Sequence, residues 1–203
     1  MKIYLSPISQ NARRVRIALH ELALEVAIVE VDLMAGEQRH EAFLAINPNG
    51  RIPALVADEL RISESRAIVQ YLAERSDERQ ELWAASDVEH AQQLHWMFWD
   101  ATRLAPHMRE LQGQLMFSPA PDAQRVEASI AALRPAWEVL DAHLSRAPFL
   151  VGRRFTLGDA SLAATLTYAA KLQLALESYP SIAEWMATVG ARASWRETVP
   201  SMA

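Results

Sequence analysis

Ile46-Asn47-Pro48-Asn49-Gly50-Arg51-Ile52-Pro53-Ala54-Leu55 is the stretch on which the reading of this chain turns. It describes a turn that runs straight into a short strand. Asn-Pro and Asn-Gly are turn dipeptides, because Asn tolerates left-handed backbone and Gly enters it without a clash. Pro53 has no N–H for a sheet ladder, yet it abuts the apolar run Ala54-Leu55-Val56. A proline there suits the first residue of a strand, or a turn made with a cis bond. A cis Ile52–Pro53 bond would turn the N–H and C=O of Ile52 outward, where they could pair with the backbone of a bound peptide. An ordinary loop-to-strand junction accounts for the same ten residues, so the flanking sequence has to choose.

Upstream, Lys2-Ile3-Tyr4-Leu5 is β-prone and is ended by Ser6-Pro7. Ala12, Val15, Leu19 and Leu22 recur at helical steps and predict one apolar face, with Arg13, Arg14 and Arg16 turned away from it. Val26 to Val31 is short and β-branched and predicts a buried strand. Strand, helix and strand with short connections make a βαβ unit with parallel strands. Residues 32–45 are polar, with a short helix around Glu41 to Leu44. Downstream, Pro53 to Val56 and Leu60 to Ile62 predict two strands about a turn at Asp58-Glu59. Ser63-Glu64-Ser65 then opens a helix whose apolar set is Ala67, Ile68, Tyr71 and Leu72. The order βαβ-ββα, with both helices on one side of a four-stranded mixed sheet, is a small α/β domain over residues 1–76. Ser76 to Gln80 is charged and free of apolar residues, which places a linker at residues 77–86.

From Asp87 onward, residues 87–203 read as an all-helical domain. Ala91, Leu94, His95, Phe98, Thr102 and Ala105 trace one face, Trp96, Trp99 and Arg103 a second, and Pro106 disturbs the helix near its end. A further stripe runs Val126, Ile130, Leu133, Trp137, Leu140 and Leu144, with Pro135 expected to kink or break it. Thr156 and Asp159 have the spacing of a capping box. The run Ala160 to Leu176 is apolar nearly all round and predicts the central helix of a bundle. A last helix covers Ile182 to Val189, and a short one includes Trp195.

The totals narrow the function. At 203 residues, 51% hydrophobic and 22% charged, the chain has an ordinary globular profile. Its net charge of −5 disfavours nucleic acid as a partner. No apolar run approaches the roughly 20 residues of a membrane span, and Met1 leads directly into strand-like sequence, so neither membrane nor leader is expected. Without cysteine there is no disulfide, thiolate metal site or cysteine nucleophile. The six histidines do not fall at ligand spacings, so no metal is expected. The default compartment is the cytoplasm.

A βαβ-ββα unit followed by an all-helical domain resembles the cytosolic glutathione transferases, and three segments carry the resemblance. Asn47 to Leu55 is similar to that family's Asn-Pro-x-Gly-Lys/Arg-Val/Ile-Pro-x-Leu segment, whose proline is cis. Glu64-Ser65-Arg66-Ala67-Ile68 with Tyr71-Leu72 is similar to its Glu-Ser-x-Ala-Ile-x-x-Tyr-Leu helix start. Phe149 to Asp159 is similar to its Phe-Leu-x-Gly-x-x-Phe-Thr-Leu-Ala-Asp motif, with Gly158 in place of the alanine.

The resemblance implies a thioredoxin-like N-terminal domain that binds glutathione, and a homodimer active in detoxification. The thiol of glutathione ionises near ~8.5, so its thiolate has to be favoured. Ser9, just before the first helix, matches the catalytic serine of the theta-, zeta- and phi-like members; a plain helix N-cap explains the same residue. Tyr4 and Asn11 are rival partners for the sulfur. Ser65 at a helix N-terminus would take the γ-glutamyl carboxylate, and Glu64 the α-amine. Ile52, set by Pro53, would meet the cysteinyl backbone, with Arg51 and Gln38 near the glycyl carboxylate; Arg39 or His40 could replace Gln38. The family's second substrate, a hydrophobic electrophile, lies against the first helix of the helical half, for which Trp96, Trp99, Arg103, His107, Met116 and Phe117 are candidates. The missing cysteine argues against the thiol-transferase and dehydroascorbate-reducing branches. Ser9-Gln10-Asn11 in place of Ser-Ser-Cys argues against the maleylacetoacetate isomerase branch. The alternative is a non-catalytic docking or regulatory module of the same fold, which would not need the intact Ser9, Arg51, Ile52-Pro53 and Glu64-Ser65 set.

Overall fold

In the computed structural model, which describes residues 1–200, Lys2–Leu5 (β1) pairs in parallel with Ala27–Glu30 (β2) and antiparallel with Ala54–Ala57 (β3). Leu60–Ser63 (β4) pairs antiparallel with β3, giving the order β2-β1-β3-β4. Gln10–Glu21 (α1) connects the parallel strands, and Glu41–Leu44 (α2) precedes β3. Ser65–Glu74 (α3) follows β4 and packs on α1. Ile3, Leu5 and Leu55 from the sheet and Val15, Ile17, Ile68 and Leu72 from the helices are each exposed by 1% or less and form the core of this unit. The thioredoxin-like arrangement expected for the first half is therefore present.

Three local expectations fail here, each for a visible reason. β2 is an edge strand with a neighbour on one side only, so Ile28 and Val29 are exposed rather than buried. On α3, Ala67 faces outward, and Val69 and Ala73 join Ile68 and Leu72 on the buried side. Arg13 and Arg14 do not point to solvent. The Arg13 guanidinium lies 3.7 Å over the Trp195 ring and donates to the Trp195 carbonyl at 2.8 Å, a stacked and hydrogen-bonded setting that suits a planar, weakly hydrated cation. Arg14 is held by two oxygens described below.

The chain divides into two compact units, Met1–Trp83 together with the segment beginning at Ala193, and Ala84–Arg192. Residues 77–86 include a short helix, Arg79–Leu82 (α4), and wholly buried Trp83 and Ala84. The second unit is helical throughout its described residues: Asp87–Trp99 (α5), Ala105–Gln112 (α6), Ala123–Leu144 (α7), Leu157–Thr165 (α8) and Pro180–Gly190 (α9). Ala193–Glu197 (α10), which the sequence placed with these helices, packs against α1. His20 meets Glu197 at 3.0 Å there, and the Ser194 hydroxyl donates to Glu21.

Pro106 occupies the first turn of α6, and the five residues before that helix, Asp100–Leu104, widen into a π turn. Proline offers no N–H and its ring crowds the carbonyl four residues back, so the ladder has to change there. The buried face of α5 is Gln93, Trp96 and Met97, leading on to Asp100 and Leu104. The predicted first face is not the buried one, and Phe98 is 68% exposed. The predicted stripe on α7 holds from Leu133 to Leu144, but Ile130 is exposed; the helix continues unbroken past Pro135. α8 is buried on every side, as its composition requires, yet it stops at Thr165 instead of reaching Leu176. Beyond it the ladder tightens to bonds spanning three residues, Leu166 N–H to the Ala163 carbonyl and Thr167 N–H to the Ala164 carbonyl, and the Thr167 hydroxyl also donates to the Ala164 carbonyl at 2.6 Å.

The start of α8 is fixed from both sides. Asp159 Oδ2 accepts from the N–H and the hydroxyl of Thr156, each at 2.9 Å, which closes the capping box. Its Oδ1 accepts from the Leu150 N–H and from Trp185 Nε1, again at 2.9 Å. Burial pushes this carboxyl above the usual aspartate range, and the four donors pull against that shift. Gly158 has a steric cause: a Cβ at this position would overlap Gln93 Oε1, which is buried against the helix start.

Arg154 clamps Glu89 with two parallel bonds, Nη1 to Oε1 at 3.0 Å and Nη2 to Oε2 at 2.7 Å, while the Ala85 N–H donates to Oε2 at 2.9 Å. The Arg154 hydrogen bonds, helped by the Ala85 N–H, hold the Glu89 carboxyl down at about 2. A depressed folded pKa means that the unfolded chain binds the extra proton, so this clamp stabilises fully above the ordinary glutamate value of roughly 4.3 and is lost as pH falls toward 2. Glu89→Gln is expected to cost about 1–2 kcal/mol at pH 7. Urea unfolding at several pH values should show a smaller acid loss for the variant than for the wild type.

Candidate active site

Three short pieces of the first unit hold the predicted binding residues, and α1 supplies the first. Ser9 is its N-cap, in extended backbone, and Ser9 Oγ accepts from the Ala12 N–H at 3.3 Å. That cap uses a lone pair and leaves the hydroxyl proton to be donated elsewhere. Capping and contact with a ligand are therefore compatible in one half-buried serine. Tyr4 projects from β1 with its ring edge toward Phe43 at 5.9 Å, as a sheet residue. Asn11 Oδ1 accepts from Arg14 Nη1 at 2.7 Å.

The second piece is the opening turn. Asn47 is buried and organises it: Nδ2 donates to the Arg51 carbonyl at 2.6 Å, and Oδ1 accepts from the Asn49 N–H at 3.1 Å. Gly50 is left-handed with φ +58°, and a Cβ there would press to 3.1 Å from the Gln38 carbonyl. The requirement for glycine is thus both conformational and steric, and it seats the Gln38 turn against this one. The Ile52–Pro53 bond is cis. Ile52 and Pro53 are buried and Arg51 is exposed. Gln38 is half-buried, and its Oε1 has no hydrogen-bond partner among the described residues. Arg39 and His40 are exposed.

The third piece is the start of α3. Glu64 is exposed and held at φ +72°, ψ +107°, a backbone conformation that costs a non-glycine residue on the order of 1–3 kcal/mol. Ser65 follows, 4% exposed, and its Oγ accepts from Arg14 Nη1 at 2.6 Å. Arg14 is the residue that sequence reading missed. Its spacing of three from Asn11 on one helix was the available signal, but the partner on α3 lies 51 residues away.

The residues named for a second substrate belong to the helical unit. Trp96 is an interior residue there, 4.6 Å from the His143 ring and 5.2 Å from Trp99. Trp99, His107 and Met116 are half-buried, and Arg103 and Phe117 are exposed. Among the described residues no helix is long and apolar enough to cross a membrane.

Comparison with known proteins agrees with this architecture. The family model of the glutathione S-transferase N-terminal domain matches residues 1–74, and that of the C-terminal domain matches residues 123–188. Glutathione S-transferase 3 of Zea mays is 35% identical, over 100% of this chain and 94% of its own. A glutathione S-transferase of Silene vulgaris is 32% identical over 98% of this chain and 96% of its own. Glutathione transferase F7 from Populus trichocarpa superposes with a TM-score of 0.88 at 29% identity, covering 97% of this chain and 96% of that one. Glutathione S-transferase-I bound with lactoylglutathione superposes at 0.86 and 25% identity, covering 98% and 97%. With both domain models matched in order and relatives above 30% identity along the whole chain, the protein belongs to the glutathione S-transferase family.

Proposed function

We propose that this protein is a serine-type glutathione transferase that joins the thiolate of glutathione to a hydrophobic electrophile. The observation that carries the reading is the Ser9 hydroxyl, which caps a 12-residue helix through its oxygen and retains a proton to give to sulfur. The helix start adds partial positive charge at the same place, and both effects favour thiolate over thiol. In the reaction the sulfur–carbon bond forms as the electrophile's leaving group departs with the electron pair of the broken bond, or as the π pair of an activated double bond shifts to its far end, which then takes a proton from water. Holding both reactants together supplies part of the remaining acceleration.

In this reading the glutathione-binding domain expected over residues 1–76 is the unit of Met1–Trp83 with the segment beginning at Ala193, and the helical domain expected over residues 87–203 is the unit Ala84–Arg192. Ile52 pairs with the cysteinyl backbone beside Pro53, Arg51 and Gln38 attend the glycyl carboxylate, Glu64 accepts from the α-amine, and Ser65 donates to the γ-glutamyl carboxylate. Trp96, Trp99, Arg103 and His107 are proposed for the electrophile, and the buried position of Trp96 makes it a support for Trp99 rather than a surface contact. A homodimer in the cytoplasm, serving detoxification, completes the proposal. Titration with glutathione while following thiolate absorbance, and then an assay with a generic aryl halide, test it. Saturable binding and turnover are expected; absence of glutathione binding overturns the reading.

A further inference from the structure

Arg14 rises from the first turns of α1 into the interior and is 1% exposed. A guanidinium has donors only. Its Nη1 gives one proton to Asn11 Oδ1 at 2.7 Å and the other to Ser65 Oγ at 2.6 Å. Because a single nitrogen serves both, the two oxygens lie within about 5 Å of each other. Two consequences follow from donor and acceptor inventory alone. The Asn11 amide is locked with its oxygen toward Arg14 and its Nδ2 on the opposite branch. Ser65 is likewise an acceptor toward Arg14, which leaves its O–H to be given elsewhere. Neither Asn11 Nδ2 nor the Ser65 O–H has a protein partner among the described residues.

Two donors not engaged by the protein among the described residues therefore belong to groups whose oxygens lie close together, where the starts of α1 and α3 both present the positive ends of their dipoles. Such a place takes an anion with two oxygens. We infer that Asn11, oriented by Arg14, is a second donor to the γ-glutamyl carboxylate of glutathione, so that α1 and α3 grip that carboxylate together. The inference rests on the function proposed above. It moves Asn11 away from the sulfur, for which the sequence makes it a rival to Ser9, and makes Arg14 a positioning residue rather than a ligand.

Binding of glutathione is compared with that of an analogue whose γ-glutamyl α-carboxylate is replaced by hydrogen, and the thiol pKa of the bound glutathione is followed by absorbance. Asn11→Ala should weaken glutathione binding roughly 10-fold or more, leave the affinity for the analogue unchanged and leave the bound thiol pKa where it is. Asn11→Asp keeps the acceptor for Arg14 but sets a negative charge against the carboxylate, and should weaken glutathione further than alanine does. Arg14→Lys should retain more of the discrimination between glutathione and analogue than Arg14→Met, provided both variants show wild-type circular dichroism. A raised thiol pKa in Asn11→Ala, with discrimination against the analogue intact, would put Asn11 on the sulfur and overturn the inference. Equal glutathione binding by wild type and Asn11→Ala would also overturn it while leaving the proposed function standing. A wild type that binds no glutathione removes the function and the inference together.

Discussion

Ser9→Ala is expected to slow conjugation roughly 10- to 100-fold at neutral pH and to raise the pKa of bound glutathione thiol by about 1–2. A hydrogen bond to a charged acceptor contributes about 1.5–3 kcal/mol, and each tenfold change in ionisation corresponds to about 1.4 kcal/mol. The loss should therefore shrink as pH rises, because solvent hydroxide comes to supply the thiolate that the hydroxyl no longer stabilises. The same substitution removes the N-cap that Ser9 Oγ forms with the Ala12 N–H, at a stability cost of about 0.5–2 kcal/mol. Ser9→Thr separates the two effects, since it keeps a hydroxyl able to do both. Rate profiles against pH, taken on variants with matched unfolding midpoints, check the prediction. A Ser9→Ala profile parallel to that of the wild type at every pH would refute a role at sulfur and leave only the cap.

Asp159→Ala should lower the stability of the helical unit by about 3–5 kcal/mol. Its carboxylate is wholly buried and receives the N–H groups of Leu150 and Thr156, the Thr156 hydroxyl and Trp185 Nε1. Alanine leaves three of these, the two backbone N–H groups and the indole N–H, in a space with no acceptor. Each unsatisfied donor costs about 1–3 kcal/mol, although the terms do not simply add. A domain is typically stable by only about 5–15 kcal/mol, so the variant should unfold at a much lower urea concentration. Thr156→Ser, which keeps the hydroxyl and the backbone donor, should change the midpoint little. If Asp159→Ala shifted the midpoint no more than a surface substitution does, the four contacts would not be supporting the fold.

How far the sequence could be read follows from how local each cause is. The strands, the cap at Thr156 and Asp159 and the turn at Asn47 to Gly50 are set by neighbours within a few residues, and all were legible. Ser9 was legible as a cap and, through the motif it matches, as a candidate donor. What sequence reading misplaced depends on partners far along the chain. Arg13 and Arg14 are buried because Trp195 and Ser65 reach them across 182 and 51 residues, which no helical periodicity records. The exposure of Ile28 and Val29 follows from strand order, since β2 lies at an edge that its β-branched composition does not announce. α8 shows the converse limit. Its all-round burial was plain in composition, but its end, in a turn where the Thr167 hydroxyl and N–H both reach the Ala164 carbonyl, was not.

The contact between Gly158 and Gln93 also constrains the order in which this chain can change. An alanine at position 158 requires the end of the Gln93 side chain to move, because the added methyl would overlap the present position of the amide oxygen. Shortening position 93 first would open room that the methyl could then fill; in the reverse order the buried amide of Gln93 has to shift to admit it. The two positions, far apart in sequence, are therefore coupled, and the effect of a substitution at either depends on the residue at the other.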